Sequence, residues 1–385
     1  MKKICIFLFL FLCLLLFPFR VNANEDLIPG SRSGLLMDIN SGEILFEKDK
    51  DTPYAVASMT KMMSQILILE AIEDGKLNWD KKVKVSSNAA GFGGSQIYLQ
   101  PGEEMTVEDI FKGISMASAN DGTVALAEEV AGTEENFVKM MNDKAKELGL
   151  KNTVFKNSTG LDEEGHVSSS YDMALIARHL LLEHPKILEF SSVYEDYLRE
   201  DTPNKFWLVN TNKLVRFFDG ADGLKTGHTD AARYCMAVTA KRGNMRLLAV
   251  VLGEETAAIR NQETTNLLNY GFDNYTVNLL KTKNEIIETK TIDKANKDKI
   301  NIILKDDVTE LLKKGSESKN YEFKTSLNEL KFPIKKGDIV GTLDVIDNGK
   351  VIKKANLTVE EDIDKLNIIS LYGKYLKGII TGFNN

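Results

Sequence analysis

Ser58-Met-Thr-Lys61-Met-Met-Ser-Gln-Ile66-Leu-Ile-Leu69 is the stretch on which the reading of this chain turns. From Ser58 onward, Met59, Met62, Met63, Ile66, Leu67 and Leu69 recur at helical spacing until Gly75, which stands where a helix C-cap is expected. Ser58 is therefore expected near a helix N-terminus, with Lys61, three residues on, projecting to the same side. A serine hydroxyl is a poor nucleophile until a base takes its proton. Lysine serves as that base only with a lowered pKa, which burial and a second nearby cation would both produce.

Outward from this helix, Leu35-Leu36-Met37-Asp38 and Glu43-Ile44-Leu45-Phe46 read as a β-hairpin turning at Asn40-Ser41-Gly42. Residues from about 80 to 214 are mostly helical in pattern, over Thr106 to Ala117, Asp121 to Ala131, Glu134 to Leu148 and Met173 to Leu182. Thr106 with Asp109 resembles a capping box. Tyr234 to Ala240 and Arg246 to Gly253 read as strands around Lys241-Arg-Gly-Asn244, and Asn261 to Phe272 as a closing helix. Early strands, a helical block and late strands imply an α+β domain, an antiparallel sheet flanked by helices with a helical insertion. Near residue 275 the chain turns Lys- and Asp-rich, with short alternations such as Ile300 to Leu304 and Asp338 to Leu343, which predicts a small separate β-rich domain over 276–360.

Two further motifs supply the rest of an acyl-transfer site. In Ser118-Ala-Asn120, between two helices, alternate residues of a short turn can present a hydroxyl to relay a proton and an amide to hold a carbonyl; alternatively Asn120 is only a helix N-cap. Lys225-Thr-Gly227 precedes the late strands and reads as an edge strand, where Gly227 permits a close backbone approach and Lys225 and Thr226 can bind a carboxylate. Lys225 is the candidate second cation beside Lys61, and the backbone N–H groups of Ser58 and His228 are candidate oxyanion donors. Singly the motifs mean little: Ser316-Glu-Ser-Lys319, Ser86-Ser-Asn88, Ser318-Lys-Asn320 and Ser326-Leu-Asn328 repeat their pieces. Their order and context carry the signal.

Composition bounds the rest. Hydrophobic residues at 43% and charged ones at 27% are ordinary for a globular chain of 385 residues, so disorder is not expected. Met1-Lys2-Lys3, an apolar run from Ile4 to Phe19 and Val21-Asn22-Ala23 read as a signal peptide over 1–23, cleaved after Ala23, or else as an uncleaved anchor; either implies export. Neither Cys5 nor Cys13 follows the small residue of a lipoprotein signal, and Cys235 alone cannot form a disulfide. Removing the signal lowers the formal net charge from −7 to −10, which disfavours nucleic acid as a partner. No cofactor or metal is called for: His179 and His184 lack an HExxH arrangement and read as a helix face, no G-x-S-x-G elbow is present, and His166 is a loop histidine that could border the cleft. From Asp362 to Phe383, Leu366, Ile369, Leu371, Tyr372, Leu376, Ile379 and Ile380 share one broad helical side, which makes 361–385 either a membrane-interface helix or a segment packed on the β-domain.

With Pro53 to Lys61, Gly93-Gly-Ser-Gln-Ile-Tyr98, Ser118 to Gly122, Asn157-Ser-Thr-Gly-Leu-Asp162, Tyr171-Asp-Met-Ala174 and Asp222-Gly-Leu-Lys-Thr-Gly-His228, the chain resembles the serine D-alanyl-D-alanine carboxypeptidases, the low-molecular-mass penicillin-binding proteins, over roughly 30 to 275. The resemblance implies the β-lactamase/transpeptidase-like fold, a penicillin-binding domain over 24–275, and an exported enzyme at the outer face of a bacterial cytoplasmic membrane. It implies removal of the terminal D-Ala from peptidoglycan stem pentapeptides through an acyl-enzyme, and capture by β-lactams. Carried over by position, Ser58 is the nucleophile, Lys61 the base, Ser118 and Asn120 the relay and substrate holder, and Lys225 and Thr226 the carboxylate site. Asp172 either orders a loop beside the site or is an ordinary ion-pair residue; Arg260 either touches the terminal carboxylate or is the same. Two rivals stand: a class A-like β-lactamase, opposed by Ala119 and by the lack of a Glu-x-x-Leu-Asn string after Ser118, and a non-catalytic module that binds cell-wall peptide or β-lactams, opposed by the intact motif set.

Overall fold

A computed structural model describes residues 26–292, 295–316, 319–366 and 369–372. The signal segment 1–23 and most of the 361–385 tail lie outside the described residues. No described helix is long and apolar enough to cross a membrane.

Strands β1 (Ser33–Asp38), β2 (Ile44–Lys48), β3 (Ala221–Thr229), β4 (Arg233–Arg242) and β5 (Met245–Glu254) form one antiparallel sheet in the order β2-β1-β5-β4-β3. Alternate residues of a strand face opposite sides, and β5 uses both. Leu248, Val250 and Leu252 enter the core shared with the helical lobe, while Leu247, Ala249 and Val251 enter a second core with Leu267, Leu268 and Phe272. A sheet covered on both faces explains why these strands read as nearly unbroken apolar runs.

The helical lobe comprises α1 (Lys61–Glu73), α2 (Val107–Ala117), α3 (Asn120–Ala131), α4 (Glu134–Glu147) and α5 (Ser170–Glu183). Helix α1 is buried nearly all round, from Lys61 to Leu69, the signature of a central helix rather than a surface one. The closing helix α6 (Ala257–Asn274) begins four residues earlier than its apolar spacing suggests, because Thr256 accepts the Ile259 N–H as N-cap. Arg260 consequently lies in its first turn. Two short ribbons, Lys82–Lys84 with Glu104–Thr106 and Glu195–Leu198 with Phe206–Val209, interrupt the region that reads as helical. Strands this short carry too few residues to show a period.

The remaining strands are β6 (Tyr275–Lys281), β7 (Ile286–Thr291), β8 (Lys299–Leu304), β9 (Val308–Lys313), β10 (Glu322–Leu327), β11 (Gly341–Asp347) and β12 (Lys350–Val359). β6 pairs with β9, and the others form a sheet ordered β7-β8-β12-β11-β10 around a separate core that includes Ile302, Leu304, Val345 and Val359. The strand anticipated over Asp338 to Leu343 starts at Gly341, because Asp338 closes a turn by accepting the Lys335 N–H.

Candidate active site

Ser58 lies in a short 3-10 turn, Ala57–Thr60, that feeds directly into α1, rather than in the α-helix itself. Ala57 holds a left-handed φ of 48°, a conformation a non-glycine residue keeps only where its surroundings enforce it. Gly160 is one such constraint: a Cβ there would lie 1.9 Å from the Ala57 carbonyl oxygen. Gly227 is the other, since its Cβ would stand 2.8 Å from the Val56 carbonyl oxygen and 3.1 Å from Ser58 N. The close approach that Gly227 permits is thus made by the protein's own segment 56–58. It brings β3, with His228 next in line, against the Ser58 N–H.

Lys61 Nζ lies 2.8 Å from Ser58 Oγ and donates to the Thr159 carbonyl at 2.7 Å. The side chain is 0% exposed, and burial first, then the charge of Lys225, push its pKa far below the usual lysine value, against a smaller opposing pull from Asp121. The Thr159 carbonyl is held in place by its loop. Asn157 Oδ1 accepts the Thr159 and Gly160 N–H groups, and Ser64 of α1 donates to the Ser158 carbonyl. Asp172 accepts from Asn152 N and Thr153 Oγ1 at 2.7 Å each, ordering the chain that leads into this loop. His166 Nε2 meets Thr60 Oγ1 at 2.8 Å while Nδ1 accepts the Lys156 N–H. Burial drives His166 to about 4, so it is a neutral brace between the loop and the 3-10 turn.

Ser118 terminates α2 with a left-handed φ of 63°, and its neighbour Ala119, which offers no side-chain cap, is the N-cap of α3. Asn120 is therefore the first residue of α3 and not its N-cap. Its Nδ2 donates to the Gly93 carbonyl at 2.7 Å, and its backbone N–H to Ser95 O. Asp121 accepts from Ile97 N and Leu99 N, fastening the same loop. Gln65, one turn after Lys61, donates to Ser115, one turn before Ser118, so the end of α2 lies against the start of α1. Ser118 Oγ and Asn120 Oδ1 are buried without a protein partner, a rarity that leaves both for an incoming group.

Lys225 lies on the sheet's edge strand, 1% exposed, with Nζ donating to the Thr226 carbonyl at 2.9 Å. Burial, then the Arg260 guanidinium, lower it to about 7. Thr226 Oγ1 donates to Thr211 Oγ1 at 2.8 Å. Thr211 belongs to no motif, and Thr159 and Gly93 fall inside the motifs Asn157–Asp162 and Gly93–Tyr98 without a role of their own. Two of them act through backbone carbonyls, which side-chain identity does not reveal. Arg260 is buried, held by Asn261 Oδ1, with its guanidinium 6.0 Å from the Tyr234 ring, on which the exposed His228 stacks at 4.1 Å. Cys235 is fully buried and pushed up to about 12, so it is not a reactive thiol.

A family model described as D-alanyl-D-alanine carboxypeptidase matches residues 21–256. The chain belongs to the D-alanyl-D-alanine carboxypeptidase family. Residues 275–365 match the C-terminal domain of penicillin-binding protein 5. D-alanyl-D-alanine carboxypeptidase DacF of Bacillus subtilis is 44% identical over 347 residues, covering 90% of this chain and 89% of its own. DacC of Escherichia coli is 35% identical over 345 residues, 87% and 84%. Among solved structures, penicillin-binding protein 5 of Haemophilus influenzae matches 87% of this chain and 98% of its own with a TM-score of 0.68 at 31% identity. Penicillin-binding protein D2 of Listeria monocytogenes, in an ampicillin-bound form, covers 63% of this chain and 98% of its own with a TM-score of 0.57 at 33% identity. The protein is a serine-type peptidase with the penicillin-binding-protein fold, acting in the bacterial cell envelope.

Proposed function

We propose that Ser58 is the nucleophile of a D,D-carboxypeptidase that removes the terminal D-Ala from peptidoglycan stem pentapeptides, and that β-lactams acylate the same residue. The observation that carries the reading is the contact of Ser58 Oγ with a lysine wholly buried and beside a second lysine. An amine kept neutral there can take the hydroxyl proton as Oγ attacks the carbonyl of the penultimate D-Ala. The Ser58 and His228 N–H groups receive the oxyanion. Ser118 passes the proton to the departing amine of D-Ala, leaving an ester on Ser58, and water then hydrolyses that ester to release the shortened peptide. Lys225, Thr226 and Arg260 bind the terminal carboxylate, and Asn120, with Oδ1 left over, accepts a substrate N–H.

The rival reading as a β-lactamase needs a base that drives water onto the ester. The second partner of Lys61 is a backbone carbonyl oxygen, Thr159 O, and not the carboxylate that such an enzyme uses to activate water, which argues against that rival. Release of D-Ala from a synthetic peptide ending in D-Ala-D-Ala, abolished in Ser58→Ala, supports the peptidase. Rapid multiple turnover of penicillin would point to the β-lactamase, and binding without D-Ala release to a non-catalytic module. Export to the outer face of the cytoplasmic membrane and attachment through 361–385 belong to the same reading, on the support of sequence pattern alone. Truncation after Ile363 is expected to release the signal-cleaved protein from membranes.

A further inference from the structure

We propose that Glu70, His179 and His184 form a binding site for a divalent transition-metal ion of the zinc class, which fastens the end of the helix bearing Lys61 to α5. Glu70 lies near the C-terminal end of α1 and His179 near that of α5, while His184 is the residue at which α5 stops, with a non-helical backbone. That departure turns the His184 ring back toward His179, the two rings standing 5.6 Å apart at 69°. One ligand atom from each histidine and one from Glu70 lie within 4.8 Å of one another, the one such group of three among the described residues.

The surroundings point to a ligand. His184 is 4% exposed, its Nδ1 is engaged with Glu73 Oε1 at 2.9 Å, and its Nε2 is buried with no protein partner. A carboxylate that holds one ring nitrogen and leaves the other as a lone-pair donor is the usual outer partner of a metal-binding histidine. His179 Nε2 is likewise buried without a partner. Two imidazoles and a carboxylate are a zinc donor set, with water completing four ligands. Zinc–ligand bonds of about 2.0–2.2 Å require the three atoms to draw in by roughly 1 Å, a side-chain adjustment. The Glu70 side chain is 29% exposed and is shared with Lys144, whose Nζ lies 2.8 Å from it. That ammonium competes with the ion for the carboxylate.

The site is structural, not catalytic. Glu70 stands nine residues beyond Lys61 on α1, about 14 Å along a helix rising 1.5 Å per residue. The sequence carries no HExxH arrangement, and the metal proposed here takes no part in hydrolysis.

The test is cobalt and zinc titration of the untagged, chelator-treated full chain, read by the visible absorption of tetrahedral Co2+, by calorimetry and by thermal melting. One Co2+ per chain is expected, displaced by Zn2+, with a higher melting temperature. His179→Gln should lose the band. Glu73→Gln, at an exposed position, should bind roughly 10- to 100-fold more weakly, and Lys144→Met more tightly than the parent. These two variants leave both imidazoles and Glu70 in place and keep the test valid should His179→Gln not fold. Absence of a cobalt band at millimolar ion, or binding equally tight in the parent, Glu73→Gln and Lys144→Met, would overturn the proposal.

Discussion

Replacing Gly227 with alanine isolates the contact that joins the edge strand to the nucleophile. The position has no positive φ, so the substitution acts through its methyl group alone. That methyl would stand 2.8 Å from Val56 O, 3.1 Å from the Ala57 Cβ and 3.1 Å from Ser58 N. Carbon and oxygen settle no closer than about 3.3 Å, so strand and turn must separate by roughly 0.5 Å. Two of the three atoms are backbone, which does not rotate away, but β3 is paired on one side only and can yield outward. Overpacking of this kind costs about 1–3 kcal/mol, and each 1.4 kcal/mol that reaches the acylation transition state is about tenfold in rate. Stopped-flow acylation by a chromogenic cephalosporin should therefore slow by about 10- to 100-fold, with a melting temperature only a few degrees lower. Gly271→Ala is the control. Its methyl meets only side-chain ends, Leu247 Cδ1 and Leu36 Cδ2, in the core behind the sheet, so it should lower stability while leaving acylation alone. A Gly227→Ala protein that acylates at the parent rate, or a Gly271→Ala protein slowed as much, would refute the reasoning.

The pH dependence of kcat/KM should have an alkaline limb set by Lys225, which must be charged to hold a carboxylate and which burial and Arg260 lower to about 7 in the free protein. Arg260→Gln removes one of those causes, so the limb should move to higher pH as KM rises; an unmoved limb would detach Arg260 from this site. The buried pair Glu254 and Glu263, bridged by Ser31, offers a stability test. Burial, then Glu263, raise Glu254 to about 8, above its unfolded value of about 4.3. The folded state then holds the extra proton. Its contribution is complete below the unfolded value and lost as pH rises through about 8. Melting of the parent should fall between pH 5 and 8 relative to Glu254→Gln, and parallel melting curves would contradict this.

Much of this fold is legible because its elements are long and its motifs local. The apolar run after Ser58, the capping pair Thr106 and Asp109 and the paired late strands all declare themselves within about twenty residues. Two things were not readable. The 3-10 turn at Ser58 packs against Gly160 and Gly227, distant in sequence, whose lack of a Cβ permits the close approach to Val56 and Ala57. The groups that complete the polar surroundings, the Thr159 and Gly93 carbonyls and the Thr211 hydroxyl, come from loops with no periodicity and act largely through the backbone. Helix starts were misplaced by a few residues at α5 and α6, where Ser169 and Thr256, rather than the first apolar residue, set the boundary.

The central claim, that Ser58 is acylated because Lys61 beside it is held neutral, meets its most direct test in peptide-mapping mass spectrometry of the protein after exposure to benzylpenicillin, with Ser58→Ala treated in parallel. A single long-lived penicilloyl adduct on the peptide containing Ser58, absent from Ser58→Ala, is the predicted result. An adduct on any other serine, or one that persists in Ser58→Ala, would contradict it.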